Sequence, residues 1–377
     1  MRRLRRSFTT FLRLSENQLV CVQMSRAQEP HRPFLPFGNP FRMILPKGTH
    51  LSPKLLALLN NFEDTLATRL KKLKPADKED VLRVSWMISA MVALCEIHTD
   101  IKTLITSLEL PVSDWEDKWI DVYLANSVKL LDMCISFSSE VTRLKQGHLY
   151  LQCVLHNLSS ASSNQFVRAR SSLDGWSKHI ASKNQRLDNC FSVMDSLVKM
   201  LDEPKVKNSS KGKVLMRAMY GVKVVTLFIC SIFAAAFSGS PNKLIDLPVP
   251  ESYLWAGEFM AIQAFINTEI RSIYSTRSFT ILKELEAVDM GAKKLYPIVQ
   301  EDGVDPPETG VLKESTLDLK KSVEILSQGL DHLAKEVDRF FQIVLTGRDT
   351  LISNLRIGGD AFDQVRGSNT GKDQMVR

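Results

Sequence analysis

The sequence predicts an all-α protein, an elongated bundle of about seven long amphipathic helices with a Pro-rich N-terminal arm and a disordered tail. Three observations predict it. Apolar residues recur at three- and four-residue steps along most of the 377-residue chain, the spacing that lines them up on one helical face. Prolines and capping residues sit at the ends of those runs and not inside them. Hydrophobic residues at 44% and charged residues at 24% allow a real core, which confines disorder to tails and linkers.

The chain opens with MRRLRRSFTTFLRLS, which has no acidic residue before Glu16 and no continuous apolar core. Residues 1–23 therefore read either as an organelle transit peptide or as an extension upstream of a working initiator at Met24. Residues 24–53 form the arm, in which six prolines between Glu29 and Pro53 remove backbone donors and forbid a regular helix. Phe34, Phe37 and Phe41 would hold it to the helical body or to a partner.

The N-terminal helical region spans 54–201. Ser52 and Pro53 supply an N-cap with proline at the first helical position, and Leu55, Leu59, Phe62, Leu66, Leu70 and Leu73 mark the buried face up to Pro75. A second helix is expected from Asp77 to Leu110. A third opens at Ser113, where Ser113 and Glu116 make a capping box, and runs through Val128, Leu131, Ile135 and Val141 to Leu158 with Gly147 as a bend point. A fourth covers Gln165 to Leu201. The polar stretch 202–213 is the clearest internal linker, because it carries Pro, Gly and Ser and no apolar periodicity.

Residues 214–240 hold the most apolar run. Val224 to Ser240 passes 17 residues without a charge, and if Lys223 snorkels the stretch from Met219 reaches membrane length. Val224, Leu227, Phe228, Ile232 and Phe233 are the candidate membrane residues, and the basic N-terminal flank would stay cytosolic or stromal. The run is also at the short limit for a span and contains Thr226, Ser231 and Ser238, as a buried central helix would. Burial is the first reading and a single span its competitor.

The C-terminal helical region covers 241–356. After breaks at Pro241, Pro248 and Pro250, one helix is expected from Ser252 to Ala292, then a loop from Glu301 to Gly310. The last helix is the most regular, with Leu319, Val323, Leu326, Leu330, Leu333, Val337, Phe340 and Val344 alternating four- and three-residue steps. Such a seam needs a helical partner, either inside the chain or in a homo-oligomeric or heterologous coiled coil. Leu326, Leu330, Leu333, Val337 and Phe340 are its candidate partner residues. Residues 357–377, with three glycines between Arg356 and Asn369 and no periodicity, read as the disordered tail.

Charge and chemistry narrow the function classes. The net charge of +7 is concentrated in five arginines within the first 13 residues and in Lys205 to Lys223, so no basic groove interleaved with aromatics is formed and nucleic acid is set aside. The six cysteines stand singly, the usage of a reducing compartment, and the sequons at Asn157 and Asn208 read as chance. No phosphate loop, zinc-protease, nucleophile-elbow or kinase signature occurs. His98 with Asp100 and His148 with His156 are the closest groupings, and their spacings do not put both side chains on one helical face. No cofactor, metal or catalytic residue is expected.

Several long phrases in order resemble the plant BYPASS family: RPFLPFGNPFRMILPKG (Arg32 to Gly48), LSPKLLALLNNFEDTLATRLKKL (Leu51 to Leu73), LELPVSDWEDKWIDVYLANSVKLLDMCI (Leu108 to Ile135), QGHLYLQCVLHNL (Gln146 to Leu158) and QFVRARSSLDGW (Gln165 to Trp176). The likeness runs from Met24 to the last helix; members begin near a sequence like MSRAQEP, from which the first 23 residues depart. It implies a non-enzymatic regulator of root and shoot development that restrains a root-derived mobile signal able to arrest shoot growth. It also implies a scaffold or adaptor role with exocyst-type subunits as partners. A different class of function, an enzyme or binder of a small apolar metabolite of carotenoid type held between helices, is the alternative. Plastid, cytosol and endomembrane all remain open as locations.

Overall fold

The computed structural model describes residues 51–109, 119–159, 163–201, 209–276, 282–300 and 309–369. Residues 1–50, with the arm's prolines up to Pro46, lie outside the described residues, as does the capping box at Ser113 and Glu116. The fold is all-α, as the periodicity predicts. Among the described residues it comprises α1 (Pro53–Leu73), α2 (Val84–Leu108), α3 (Trp119–Leu158), α4 (Ser163–Ala181), α5 (Gln185–Lys199), α6 (Ser210–Ser238), α7 (Ala256–Thr276), α8 (Lys283–Gln300) and α9 (Thr309–Asn369).

Helix α1 has the expected bounds. The Ser52 hydroxyl accepts from the Leu55 amide, and Leu59, Phe62, Leu66, Leu70 and Leu73 are buried. The indole of Trp86 donates to the Leu73 carbonyl at 3.0 Å, which satisfies one of the acceptors left free at the helix end. The single helix expected from Asp77 to Leu110 is instead a 3₁₀ turn, Lys78–Asp80, followed by α2. The break falls at Leu82, which is fully buried and takes a left-handed φ of 65°. Side-chain burial there outweighs a backbone cost of about 1–2 kcal/mol. Arg83 offers α2 no side-chain cap, and Glu284 of α8 supplies one by accepting from the Val84 amide at 3.0 Å.

The fourth expected helix also divides, into α4 and α5. Asn184 caps α5 by accepting from the Arg186 amide and donates to Glu140 of α3 at 3.0 Å. Arg143 holds the buried Glu140 carboxylate and donates to the His179 carbonyl at 2.7 Å, so α3 satisfies the polar groups that the break exposes. Gly147 and Gly175 let α3 and α4 approach closely. A Cβ on Gly147 would lie 2.9 Å from the Trp176 ring, and reciprocally a Cβ on Gly175 would lie 2.6 Å from Tyr150.

Helix α6 begins at Ser210, inside the expected linker, because the Ser209 hydroxyl accepts from the Gly212 amide. It ends at Gly239, whose φ of 64° suits a residue without a Cβ. Around it pack α1, α2, α3 and α5, and Phe228 meets Phe259 of α7 edge to face with ring centres 5.4 Å apart. Its Arg217 pairs with the buried carboxylate of Glu63 on α1 at 2.5 Å, donates to the Ser252 carbonyl and lies 4.5 Å from the centre of the Tyr253 ring.

The segment before α7 is strapped down by Gln263, whose amide exchanges two hydrogen bonds with the backbone of Leu247. The single helix expected from Ser252 to Ala292 is α7 and α8, with 277–281 outside the described residues. Helix α9 packs on α3, α2 and α8. It runs to Asn369, which corrects the reading of 357–369 as disordered tail. Gly358 and Gly359 cost about 1 kcal/mol each relative to alanine, but no proline interrupts the run and extending a formed helix needs no new nucleus.

Candidate functional site

The two sequence candidates converge. In α6, Val224, Phe228, Ile232 and Phe233 are fully enclosed and Leu227 nearly so. Both α6 and α2 are long and apolar enough to cross a membrane, and neighbouring helices bury 83% of the most apolar stretch of α6. In this fold the segment is a covered central helix. In α9, Leu326, Leu330, Leu333, Val337 and Phe340 are all buried. The seam's helical partners are therefore α2, α3 and α8 of the same chain.

Where α9 approaches α6, one ring from α2 joins them. His98 stands edge-on to Phe340, ring centres 4.9 Å apart, and its Nε2 lies 3.1 Å from the Thr226 hydroxyl. Thr226 spends its own proton on the Val222 carbonyl at 2.7 Å, so its oxygen must accept and His98 must be the Nε2–H tautomer. Burial pushes the imidazole down to about 4, which keeps it neutral at physiological pH.

Beside this contact is a cavity of about 60 Å³ between α2, α3, α5, α6 and α9. Ile101, Leu130, Leu197, Met219, Val222, Leu227 and Val344 give it apolar walls; His98, Tyr123, Asn126, Ser127, Lys223 and Thr226 add the polar groups. Ser127 is satisfied, since it donates to the Leu124 carbonyl and accepts from Arg348 at 3.2 Å. Asn126 is only 7% exposed and its Oδ1 has no hydrogen-bond partner. Burial lowers the Lys223 ammonium and raises the Tyr123 hydroxyl from their ordinary values.

Sequence reasoning placed none of these polar residues in a site. The signal available was Asn126 and Ser127 at positions that helical spacing puts on a buried face, together with Lys223 at the edge of the apolar run. The cysteines behave likewise: scattered in sequence, Cys134 comes within electrostatic reach of Cys95 and Cys190, and Cys230 of Cys134 and Cys190, in the core. Burial pushes Cys95 up to about 11 and Cys190 up to about 12, which makes them packing groups and poor nucleophiles. Among the described residues no group of three or more His, Cys, Asp or Glu side chains could hold a metal ion.

The fold and this site define a class of protein, an all-helical bundle that folds its most apolar helix and its heptad seam into its own core around a small cavity. A family model described as Protein BPS1 matches residues 90–345, a range that contains every residue lining the cavity. The chain is 57% identical to "Protein BPS1, chloroplastic" of Arabidopsis thaliana, over 89% of this chain and 94% of that protein. It is 38% identical to "UPF0496 protein 4" of Oryza sativa subsp. japonica, over 91% of this chain and 99% of the relative. At 20% identity it also matches "Protein ROH1D" of Arabidopsis thaliana, over 80% of this chain and 90% of the relative. The chain belongs to the BPS1 family, the BYPASS family that its long phrases resemble. No solved structure matches it.

Proposed function

We propose that this chain is a non-enzymatic regulator of plant development that works by binding other proteins, and that it restrains a root-derived signal able to arrest shoot growth. The observation that carries the reading is its family membership, at 57% identity over most of the length of a BPS1 protein. The surface of α9 supports the mode of action. With the seam turned inward, Val311, Leu317 and Ile325 remain half-exposed or more on the side away from it, and apolar residues so placed suit a helical partner. Exocyst-type subunits are the partners implied by the resemblance. The name of the Arabidopsis relative and the Arg-rich, acid-free start of the chain favour a plastid location, whereas exocyst-type partners favour the cytosol.

Proximity labelling from the tagged full-length chain in root tissue tests the reading. The expected result is enrichment of exocyst-type subunits that falls when Val311, Leu317 and Ile325 are replaced together by serine, with the helical spectrum unchanged. Recovery of no reproducible partner would remove it. An enzyme or binder of a small apolar, carotenoid-derived metabolite held between helices is the second reading, and the cavity is the space it would use. At about 60 Å³ that space is several-fold below the roughly 300–1,000 Å³ of pockets for drug-sized ligands, so such a molecule would have to open the bundle.

A further inference from the structure

Two groups on the wall of the cavity between α2, α3, α5, α6 and α9 set what it could hold. One is the Asn126 Oδ1, an acceptor in a side chain more than nine-tenths buried. An unpaired polar atom in such a place costs about 1–3 kcal/mol, and native folds keep few of them. The other is Lys223, a partly buried residue of the cavity wall on which burial acts with no carboxylate to offset it. The neighbouring hydroxyls of Ser127 and Thr226 are already bonded within the protein and make no such demand.

The two groups have different needs. An ammonium surrounded by apolar walls calls for an anion, and a carboxylate gives it a charge-assisted hydrogen bond. An amide oxygen calls for a donor, and a carboxylate cannot provide one, so the same ligand needs a hydroxyl. The remaining space is apolar and small. An engineered cavity of about 150 Å³ takes the six carbons of benzene, so about 60 Å³ encloses only roughly two or three non-hydrogen atoms of a ligand, and its carboxylate lies at the edge beside the partly exposed Lys223.

We propose that this cavity is a binding site for a short hydroxy-carboxylate, with its carboxylate on Lys223, its hydroxyl donating to Asn126 and its carbon stub against Ile101 and Leu227. The site goes beyond the partner-binding reading and does not depend on it. Lys223 sets the charge requirement, Asn126 selects for the hydroxyl, and the volume limits chain length. A ligand that pairs both groups also ties α3 to α6, so occupancy stabilises the folded chain in proportion to its concentration above Kd.

The test is titration of the purified full-length chain with lactate and its terminal-hydroxyl isomer, with propionate, and with neutral propionamide and propanol, followed by calorimetry and thermal unfolding. The expected result is saturable binding by at least one hydroxy acid, weaker binding by propionate and none by the neutral compounds. Lys223→Met, which keeps the stem and removes the charge, should weaken binding about tenfold or more. Asn126→Leu, which removes the unpaired acceptor, should remove the preference for the hydroxy acid over propionate while the far-ultraviolet spectrum stays native. The proposal is overturned if no hydroxy acid binds, if propanol binds as tightly as propionate, or if Lys223→Met binds as the wild type does.

Discussion

Replacing His98 should flatten the acid side of the stability profile. The ring is enclosed by α2, α6 and α9, and desolvation brings it from 6.5 down to about 4 in the folded chain. The unfolded chain then binds the proton more readily than the folded one between about pH 4 and pH 6.5. Stability from the neutral ring is therefore complete above pH 6.5, and is lost progressively as pH falls towards 4. Two and a half pH units at 1.36 kcal/mol each would give about 3 kcal/mol; one edge of the ring faces a cavity that can admit water, so a loss of about 1–3 kcal/mol is expected. His98→Gln can still donate to Thr226 and does not titrate. Urea unfolding of the two proteins from pH 4 to pH 7 measures the difference. Parallel stability curves would show that His98 is protonated in the fold without penalty, and the enclosed neutral tautomer would be wrong.

Three further outcomes follow from the packing. Glu63→Ala removes the carboxylate that holds the Arg217 guanidinium and the Leu254 amide; a loss of about 1–3 kcal/mol in denaturant unfolding is expected, only part of it recovered on adding Arg217→Met, since the Leu254 amide still lacks its acceptor. Gly147→Ala forces a methyl to within 2.9 Å of Trp176, and should lower stability by about 1–2 kcal/mol despite alanine's better helix propensity, whereas an unchanged melting temperature would mean that α3 and α4 approach less closely. Alkaline carbonate should release the wild-type chain from membranes, and Phe228→Arg or Ile232→Arg should unfold it in membrane-free buffer, because both sites are fully enclosed. Retention of the wild type through carbonate would mean that α6 leaves the bundle for the bilayer.

The elements most legible in the sequence are those whose local signals agree. Around α1 a serine cap, a proline at the first turn, a leucine stripe and a terminating proline all give the same bounds, and the structure has them. The α9 seam and the apolar character of α6 are equally plain, because a seven-residue repeat and a long uncharged run are properties of the chain alone. The breaks at Leu82 and at residues 182–184 are not legible in this way. Neither contains a proline or glycine, and each exists because a group distant in sequence completes it: Glu284 of α8 at the first, Glu140 and Arg143 of α3 at the second.

The sequence by itself determined that the chain is helical, where its strongest helices lie, and, through its long phrases, the family to which it belongs. It could not say what covers an apolar face, since periodicity shows that a face must be buried and gives no sign of which surface buries it. Lipid, a second copy and another helix of the same chain remove the same area from water. Only the tertiary structure decided that α6 is covered by its own neighbours, that the α9 seam is filled from within the chain, and that Asn126 and Lys223 share one cavity. Those two residues lie almost a hundred positions apart, and what brings them together is the packing of α3 against α6.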